Sequence, residues 1–142
     1  MLKPALGLDL GQKTLGIAKS DSLGFVFGVE TYRFKNYDYE SASNYVIDFL
    51  SKNNIEVVVI GYPLTLKGEL SEMSKNVLSF KELLLNKNPN LTIELVDERL
   101  TSVEANRTLS FLNVNHNTRK ANVDTLAAQE ILETYIRKEK NK

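Results

Sequence analysis

The sequence predicts an α/β domain whose mixed five-stranded sheet carries helices on both faces, with elements in the order βββαβαβαα. Three observations support this fold class. Short segments rich in β-branched and aromatic residues, separated by glycine turns, open the chain and indicate three antiparallel strands. From Tyr39 to Asn53 the apolar residues recur with a period of 3.6 instead of 2, which indicates a helix. The unbroken run Val57–Ile60 is typical of a parallel strand buried on both faces.

The remaining elements follow from the same local signals. We expect a third strand over Phe25–Tyr32 with a bulge at Gly28, a ligand-binding loop over Gly61–Leu70 after the fourth strand, and a helix over Ser71–Leu85. A fifth strand should follow over Leu91–Val96, and a capping box should open a further helix at Thr101. Residues 113–122, which include His116, carry no apolar pattern, so we expect a polar, mobile loop there. The last helix should run from Asn122 to Lys138, with Ala127 and Ala128 on its buried face.

Length and composition restrict the class of protein. The chain has 142 residues, which suits one domain over residues 1–138 followed by a short basic tail, 139–142. There is no cysteine, so disulfides and thiolate metal sites are excluded, and no apolar segment approaches the ~20 residues that span a bilayer. We therefore expect a soluble, cytoplasmic protein.

Charge is balanced overall but uneven along the chain. Eighteen Lys and Arg match 18 Asp and Glu, which argues against a strongly basic nucleic-acid binder. Residues 1–98 hold 10 basic against 13 acidic side chains, a net charge of −3, and residues 99–142 hold 8 against 5, a net charge of +3. A polyanionic ligand should therefore contact the C-terminal third.

The segment Ala5 to Ser20 has the form of a strand, a glycine turn and a returning strand, with one acid in its middle. Asp9 follows an apolar run, and an ionised carboxylate in a buried strand has no structural role. Gly11 permits a tight turn, while Gly16 lets a ligand approach the returning strand. The segment thus predicts a functional acid with room for a metal or a phosphate beside it. The alternative is an ordinary hairpin whose aspartate caps its own turn.

Three acids, Asp9, Glu98 and Asp124, should converge if the first and fourth strands pair in parallel and the fifth lies outside the fourth. Carboxylates suit Mg²⁺ or Mn²⁺, and two such ions stabilise an in-line phosphoryl displacement. Because successive strand residues face opposite ways, only one of Asp97 and Glu98 can point into the site, and the sequence pattern does not choose between them. Each acid also has a structural alternative, in a turn, in an ion pair with Arg99 or in the first turn of a helix.

Five basic residues could hold the phosphates of a nucleic acid. Guanidinium and ammonium groups that contact phosphates position a nucleic-acid backbone without reading its bases. The candidates lie beside the first turn, around the predicted third helix and just before Asp124: Lys13, Arg99, Arg107, Arg119 and Lys120. For any one of them, a solvated surface charge is the alternative. His116 stands alone in a polar segment and is not interpreted as a ligand.

Four ordered motifs resemble the YqgF family of RNase H-like nucleases. They are the segment Gly7–Ala18, Gly61–Leu64 with Gly68, Asp97–Ala105, and Val123-Asp124 with Ala127-Ala128 and Ile131-Leu132. The family is described both as nucleases that mature the 5′ end of pre-16S rRNA and as Holliday junction resolvases. The resemblance implies an RNase H-like fold and a metal-dependent site in which Asp9, Glu98 and Asp124 are catalytic and hold two Mg²⁺ or Mn²⁺ ions. Thr14, where the family usually has a basic residue, and Tyr62, where it usually has leucine, depart from the pattern.

We therefore predict a metal-dependent hydrolase of phosphodiester bonds that processes the 5′ end of pre-16S rRNA, as a monomer or homodimer. One alternative is a Holliday junction resolvase that acts on branched DNA, and another is a non-catalytic nucleic-acid-binding module of the same fold. ATPases of the acetate kinase, Hsp70 and actin type also have Asp-x-Gly after a strand. They bind nucleotide between two lobes, whereas this chain has room for one.

Overall fold

The computed structural model describes residues 2–64, 67–97 and 116–141, and for residues 116–124 it describes the backbone alone. The elements follow the predicted order, here labelled in chain order: β1 (Ala5–Leu10), β2 (Thr14–Ser20), β3 (Val26–Arg33), α1 (Tyr39–Asn53), β4 (Val57–Tyr62), α2 (Glu72–Lys87), β5 (Thr92–Asp97) and α3 (His116–Lys140). The helix predicted to begin at Thr101 lies outside the described residues. No described helix is long and apolar enough to cross a membrane.

The five strands form one mixed sheet in the order β3-β2-β1-β4-β5. Strands β1, β2 and β3 are an antiparallel meander, while β4 is parallel to β1 and β5 is parallel to β4. This topology confirms the predicted sheet and the pairing on which the convergence of the three acids depends. The pairing of β2 with β3 slips by one residue at Val29, directly after Gly28, so the predicted bulge is also confirmed.

Each face of the sheet has its own hydrophobic core, which confirms helices on both faces. The core under α1 and α2 contains large side chains, among them Leu6, Leu8, Ile60, Phe80 and Leu84. The core under α3 is smaller and contains Ala5, Ala18, Val57, Val59, Val96, Ala128, Ile131 and Leu132. Because side chains alternate along a strand, each central strand contributes to both cores, as the β-branched run of β4 predicted.

Helices α1 and α2 end where their capping residues require. The Asp38 carboxylate accepts a hydrogen bond from the Ser41 N–H at 3.2 Å and opens α1, which spans the predicted residues. Asn54 closes α1 in the left-handed conformation, with φ of 54°. Ser71 and Ser74 exchange side-chain and backbone hydrogen bonds at the start of α2. Local sequence therefore fixes both helices.

Helix α3 begins at His116, so the prediction of a polar loop up to Asn122 is wrong for residues 116–122. An apolar pattern indicates where a helix contacts a core, and it does not indicate where the helix begins. The added turns contain Arg119, Lys120 and Ala121, which are good or acceptable helix formers without an apolar stripe.

Helix α3 lies unusually close to β1 at Gly7. A Cβ atom added to Gly7 would lie 2.5 Å from Leu132 Cγ and 2.8 Å from the Ala128 carbonyl oxygen. A second close approach occurs at Gly28 of β3, where an added Cβ would lie 2.7 Å from Gln129 Nε2 and 2.9 Å from Thr125 Oγ1. The absence of side chains at these two positions allows the helix to rest on the sheet.

Substituting Gly7 should destabilise the protein more than substituting Gly28. Gly7→Ala forces the α3 backbone away from β1, because the obstructing Ala128 atom is a main-chain oxygen, and overpacking of this kind costs about 1–3 kcal/mol. Gly28→Ala meets the ends of two side chains that can rotate, so we expect a smaller loss. Urea denaturation of both variants measures the difference, and equal free energies of unfolding would show that α3 does not depend on the contact at Gly7.

Candidate active site

Asp9 lies in β1 on the face of the sheet that α3 covers. Leu8 and Leu10 belong to the core under α1 and α2, while Ala5 belongs to the core under α3, so the alternation of side chains assigns Asp9 to the α3 face. Asp9 is half-buried, although its neighbours Leu8 and Leu10 are buried. The structure thus confirms an acid inside a buried strand, near the carboxyl end of β1.

The sheet beside Asp9 has no bulky side chain. Asp9 pairs with Gly16 of β2, and Gly16 pairs in turn with Thr31 of β3. Within the part of the chain that the structure describes, the buried Thr31 hydroxyl has no hydrogen-bond partner. The row of three residues thus carries no side chain larger than that of an aspartate, but Gly16 itself is buried, so the approach of a ligand to Gly16 stays a prediction.

The turn that follows Asp9 is closed and anchored from below. The Gly11 N–H donates to the Thr14 carbonyl oxygen at 2.8 Å, and the Tyr39 hydroxyl donates to the Gly11 carbonyl oxygen at 3.1 Å. Burial, followed by repulsion from Tyr37, raises the pKa of the Tyr39 hydroxyl above its ordinary value of 10.0, although a hydrogen bond from Asn76 opposes this shift. Tyr39 therefore remains a protonated donor at neutral pH.

Sequence reasoning did not identify Tyr39 as a site residue. A tyrosine that opens a helix next to a run of aromatic residues indicates core packing, and only 8 % of the surface of Tyr39 is exposed. The signal that could have identified it is its polar end, because a buried tyrosine hydroxyl requires a hydrogen-bond partner. The turn after Asp9 supplies that partner.

The structure describes the side chain of only one of the three predicted acids. Strand β5 ends at Asp97, and Glu98, the next residue, lies outside the described residues. Asp124 lies within α3, in the part of the helix of which only the backbone is described. Among the residues with described side chains, no three acidic or histidine side chains come together. The convergence of the three acids therefore stays a prediction.

Asp97 and Asp9 lie on opposite faces of the sheet. Asp97 pairs with Tyr62, which packs against the core under α1 and α2, whereas its neighbour Val96 belongs to the core under α3. A residue that follows Asp97 in extended conformation would return to the α3 face. Of the two acids between which the sequence could not choose, Asp97 is thus the one that does not face Asp9.

The five predicted phosphate-binding residues are placed unequally. Lys13 is exposed in the turn between β1 and β2, two residues after Gly11. Arg119 and Lys120 lie in the first turns of α3, where only the backbone is described, and Arg99 and Arg107 lie outside the described residues. Lys13 is consequently the one candidate of the five whose side chain the structure describes, and its role stays a prediction.

Helix α3 runs antiparallel to β1. Its C-terminal residues Tyr135 and Ile136 line a surface cleft together with Leu2, Val57 and Thr92, which lie at the amino ends of β1, β4 and β5. The N-terminal half of α3 therefore lies toward the carboxyl ends of these strands, which is the edge where open α/β sheets place their ligands. Asp9 and the start of α3 lie toward the same edge.

Comparison with solved structures defines the class of this domain. The Thermus thermophilus RuvC bound to a Holliday junction substrate matches with a TM-score of 0.63 over 97 % of this chain and 96 % of the other, at 12 % sequence identity. A second Thermus thermophilus RuvC structure matches with a TM-score of 0.61 over 96 % of both chains, at 13 % identity. The domain therefore has the RNase H-like fold of RuvC.

Sequence comparison defines the family within that class. The family model described as "RuvX: Holliday junction resolvase" matches residues 3–138. Relatives from Staphylococcus aureus strains JH9 and JH1, each named "Putative pre-16S rRNA nuclease", are 36 % identical over 132 residues, which are 92 % of this chain and 93 % of theirs. The chain belongs to the RuvX family, also called YqgF, and the resemblance found in its motifs is confirmed.

Proposed function

We propose that this protein is a metal-dependent nuclease whose site is formed by Asp9, Glu98 and Asp124 at the carboxyl edge of the sheet. The observation that carries the proposal is the position of Asp9, a half-buried acid on the α3 face that pairs with Gly16 near the carboxyl end of β1. Ionisable groups at such positions are frequent at functional sites. Membership of a family described as resolvases, with relatives named as nucleases, supports that role.

The spacing of residues along β1 and α3 supports the participation of Asp124. Ala128 lies over Gly7. From this contact, the N-terminal part of α3 and the C-terminal part of β1 extend toward the same edge of the sheet. Asp124 precedes Ala128 by four helical residues, about 6 Å, and Asp9 follows Gly7 by two strand residues, about 6.6 Å. The two acids are thus expected at the same position along the strand direction.

The side chains have separable tasks in this proposal. The three carboxylates would hold Mg²⁺ or Mn²⁺, which prefer oxygen ligands, and two such ions supply an activated water and stabilise the charge of an in-line phosphoryl displacement. Gly16, which pairs with Asp9, places no side chain next to that carboxylate. Lys13, at the rim of the site, would bind a phosphate of the nucleic-acid backbone.

We favour processing of the 5′ end of pre-16S rRNA, in the cytoplasm, as the biological reaction. The relatives at 36 % identity carry that description over almost their whole length, and they are far more similar to this chain than the RuvC structures are. Resolution of Holliday junctions is the second candidate, since the family model carries that description. It requires a symmetric dimer, because one site cuts one strand.

Asp9→Asn should abolish cleavage without unfolding the protein. The amide preserves the volume of the carboxylate but removes the charge that holds a metal, so we expect a loss of roughly 100-fold or more, above the 10- to 100-fold that outer-shell changes cost. The assay compares a 5′-extended 16S leader RNA with a four-way DNA junction, with and without Mg²⁺, alongside thermal melts. Full activity of a folded Asp9→Asn protein would contradict the site, and cleavage of the junction alone would favour the second candidate.

Neighbouring acids at the end of β5 provide a matched pair of variants. Glu98→Gln should reduce cleavage as strongly as Asp9→Asn, whereas Asp97→Asn should retain activity within a few-fold, because Asp97 belongs to the opposite face of the sheet. Both changes remove one negative charge from the same stretch of chain, so a general electrostatic effect would alter them equally. The reverse ranking of the two variants would place Asp97 in the site instead.

A further inference from the structure

The turn between β1 and β2 is held by the segment that connects β3 to α1. Three consecutive carbonyl oxygens of the turn accept hydrogen bonds from this segment. Gly11 accepts from the Tyr39 hydroxyl at 3.1 Å. Gln12 accepts from the Tyr37 N–H at 2.8 Å, and Lys13 accepts from the Phe34 N–H at 2.8 Å. Two of these bonds join main-chain atoms, whereas the bond to Gly11 comes from a side chain and can be removed by substitution.

The Tyr39 hydroxyl is itself held in place. Its ring lies in the core under α1 and α2 and makes edge contacts with Phe34, Tyr37 and Phe80, with ring centroids 5.8, 6.1 and 6.0 Å away. Tyr39 is also the first residue of α1, whose start the Asp38 cap fixes. Loss of the hydroxyl should therefore leave the ring in position and remove the bond to the turn, together with the hydrogen bond from Asn76.

This bond also sets the direction of the turn's amides. The Gly11 carbonyl points toward Tyr39, which lies on the side of α1 and α2. The described peptide bonds are all trans, so the N–H of Gln12, in the same peptide plane, points the opposite way. That direction is the face on which Asp9 lies. The exposed turn consequently presents the Gln12 N–H, with Lys13 next to it, on the side of the candidate site.

We infer that Tyr39 is a positioning residue for substrate binding. By donating a hydrogen bond to the Gly11 carbonyl, it fixes the conformation of the turn. The Gln12 N–H and the Lys13 ammonium group then bind a backbone phosphate of the nucleic acid, adjacent to the phosphate that lies beside Asp9. A main-chain N–H with a lysine next to it in the same turn suits a phosphate oxygen, which accepts charge-assisted hydrogen bonds. Tyr39 touches neither the substrate nor the reacting atoms. The inference rests on the proposed nuclease function.

Tyr32 offers a matched control for Tyr39. Its hydroxyl bonds to Ser41 Oγ at 2.8 Å, and its ring stacks on Tyr45 with centroids 4.3 Å apart. Tyr32→Phe and Tyr39→Phe each remove one hydroxyl on the same side of the sheet, and Tyr39→Phe also loses the hydrogen bond from Asn76, so its melting temperature should fall somewhat more. Only Tyr39→Phe releases the turn.

The test measures binding and cleavage separately. Affinity for a fluorescent 5′-extended 16S leader RNA is measured by anisotropy in Ca²⁺ without turnover, and kcat and KM are measured in Mg²⁺. Tyr39→Phe should weaken binding and raise KM by roughly 3- to 10-fold, as expected for one lost hydrogen bond, with kcat within about twofold of wild type. Tyr32→Phe should change neither constant. Hydrogen exchange of the Gly11 amide, which donates to the Thr14 carbonyl oxygen in the closed turn, should accelerate in Tyr39→Phe alone.

A double variant tests the route through the turn. If Tyr39 acts by placing Lys13, the loss caused by Tyr39→Phe should shrink in a Lys13→Ala background. Equal losses of affinity in both tyrosine variants, unchanged affinity in Tyr39→Phe, or a fall in kcat with constant KM would each overturn the proposal. If the wild type binds the RNA but cleaves no substrate, the proposed function fails, while the binding arm still decides the role of Tyr39.

Discussion

The close approach of α3 to β1 is the constraint on which the candidate site depends. Two acids that share one ion must come within the few ångströms that Mg²⁺ coordination allows, since its oxygen ligands lie about 2.0–2.1 Å from the metal. A helix packed on large side chains would hold its own acid too far from the sheet. Gly7 leaves no side chain between the two elements, and the core around it contains Ala5, Ala18 and Ala128. These small residues allow α3 to lie close to the sheet, although they bury less apolar volume than large side chains would.

The two faces of the sheet have different tasks. The face under α1 and α2 contains the large aliphatic and aromatic side chains that supply most of the buried area, and it also anchors the turn after Asp9 through Tyr39. The face under α3 contains small residues and carries Asp9, which pairs with Gly16. The stability of one face thus holds the polar groups of the other in a fixed arrangement.

Much of this architecture could be predicted because local signals agreed with the fold. The β-branched run of β4 predicted a central strand, and capping residues fixed α1 over its predicted bounds. The start of α3 could not be predicted, because its first turns carry no apolar stripe and periodicity detects only a buried face. The faces of Asp97 and Glu98 could not be assigned either, because each face of a central sheet is apolar and only the observed cores identify the face of Val96. Tyr39 was missed because its ring, which dominates the pattern, belongs to the core while its hydroxyl serves the turn.

The proposed chemistry requires a divalent metal ion at the carboxyl edge of the sheet, between β1 and the first turns of α3. Titration of the ¹⁵N-labelled protein with Mn²⁺ locates such an ion, because the paramagnetic ion broadens the amide signals nearest to it. We expect the signals of Asp9, Gly11 and Asp124 to disappear first, and those of Leu2 and Glu139, which line the cleft at the opposite edge, to be the last to change. Broadening centred on Glu139, or broadening of the same signals in Asp9→Asn at the same metal concentration, would contradict this metal site.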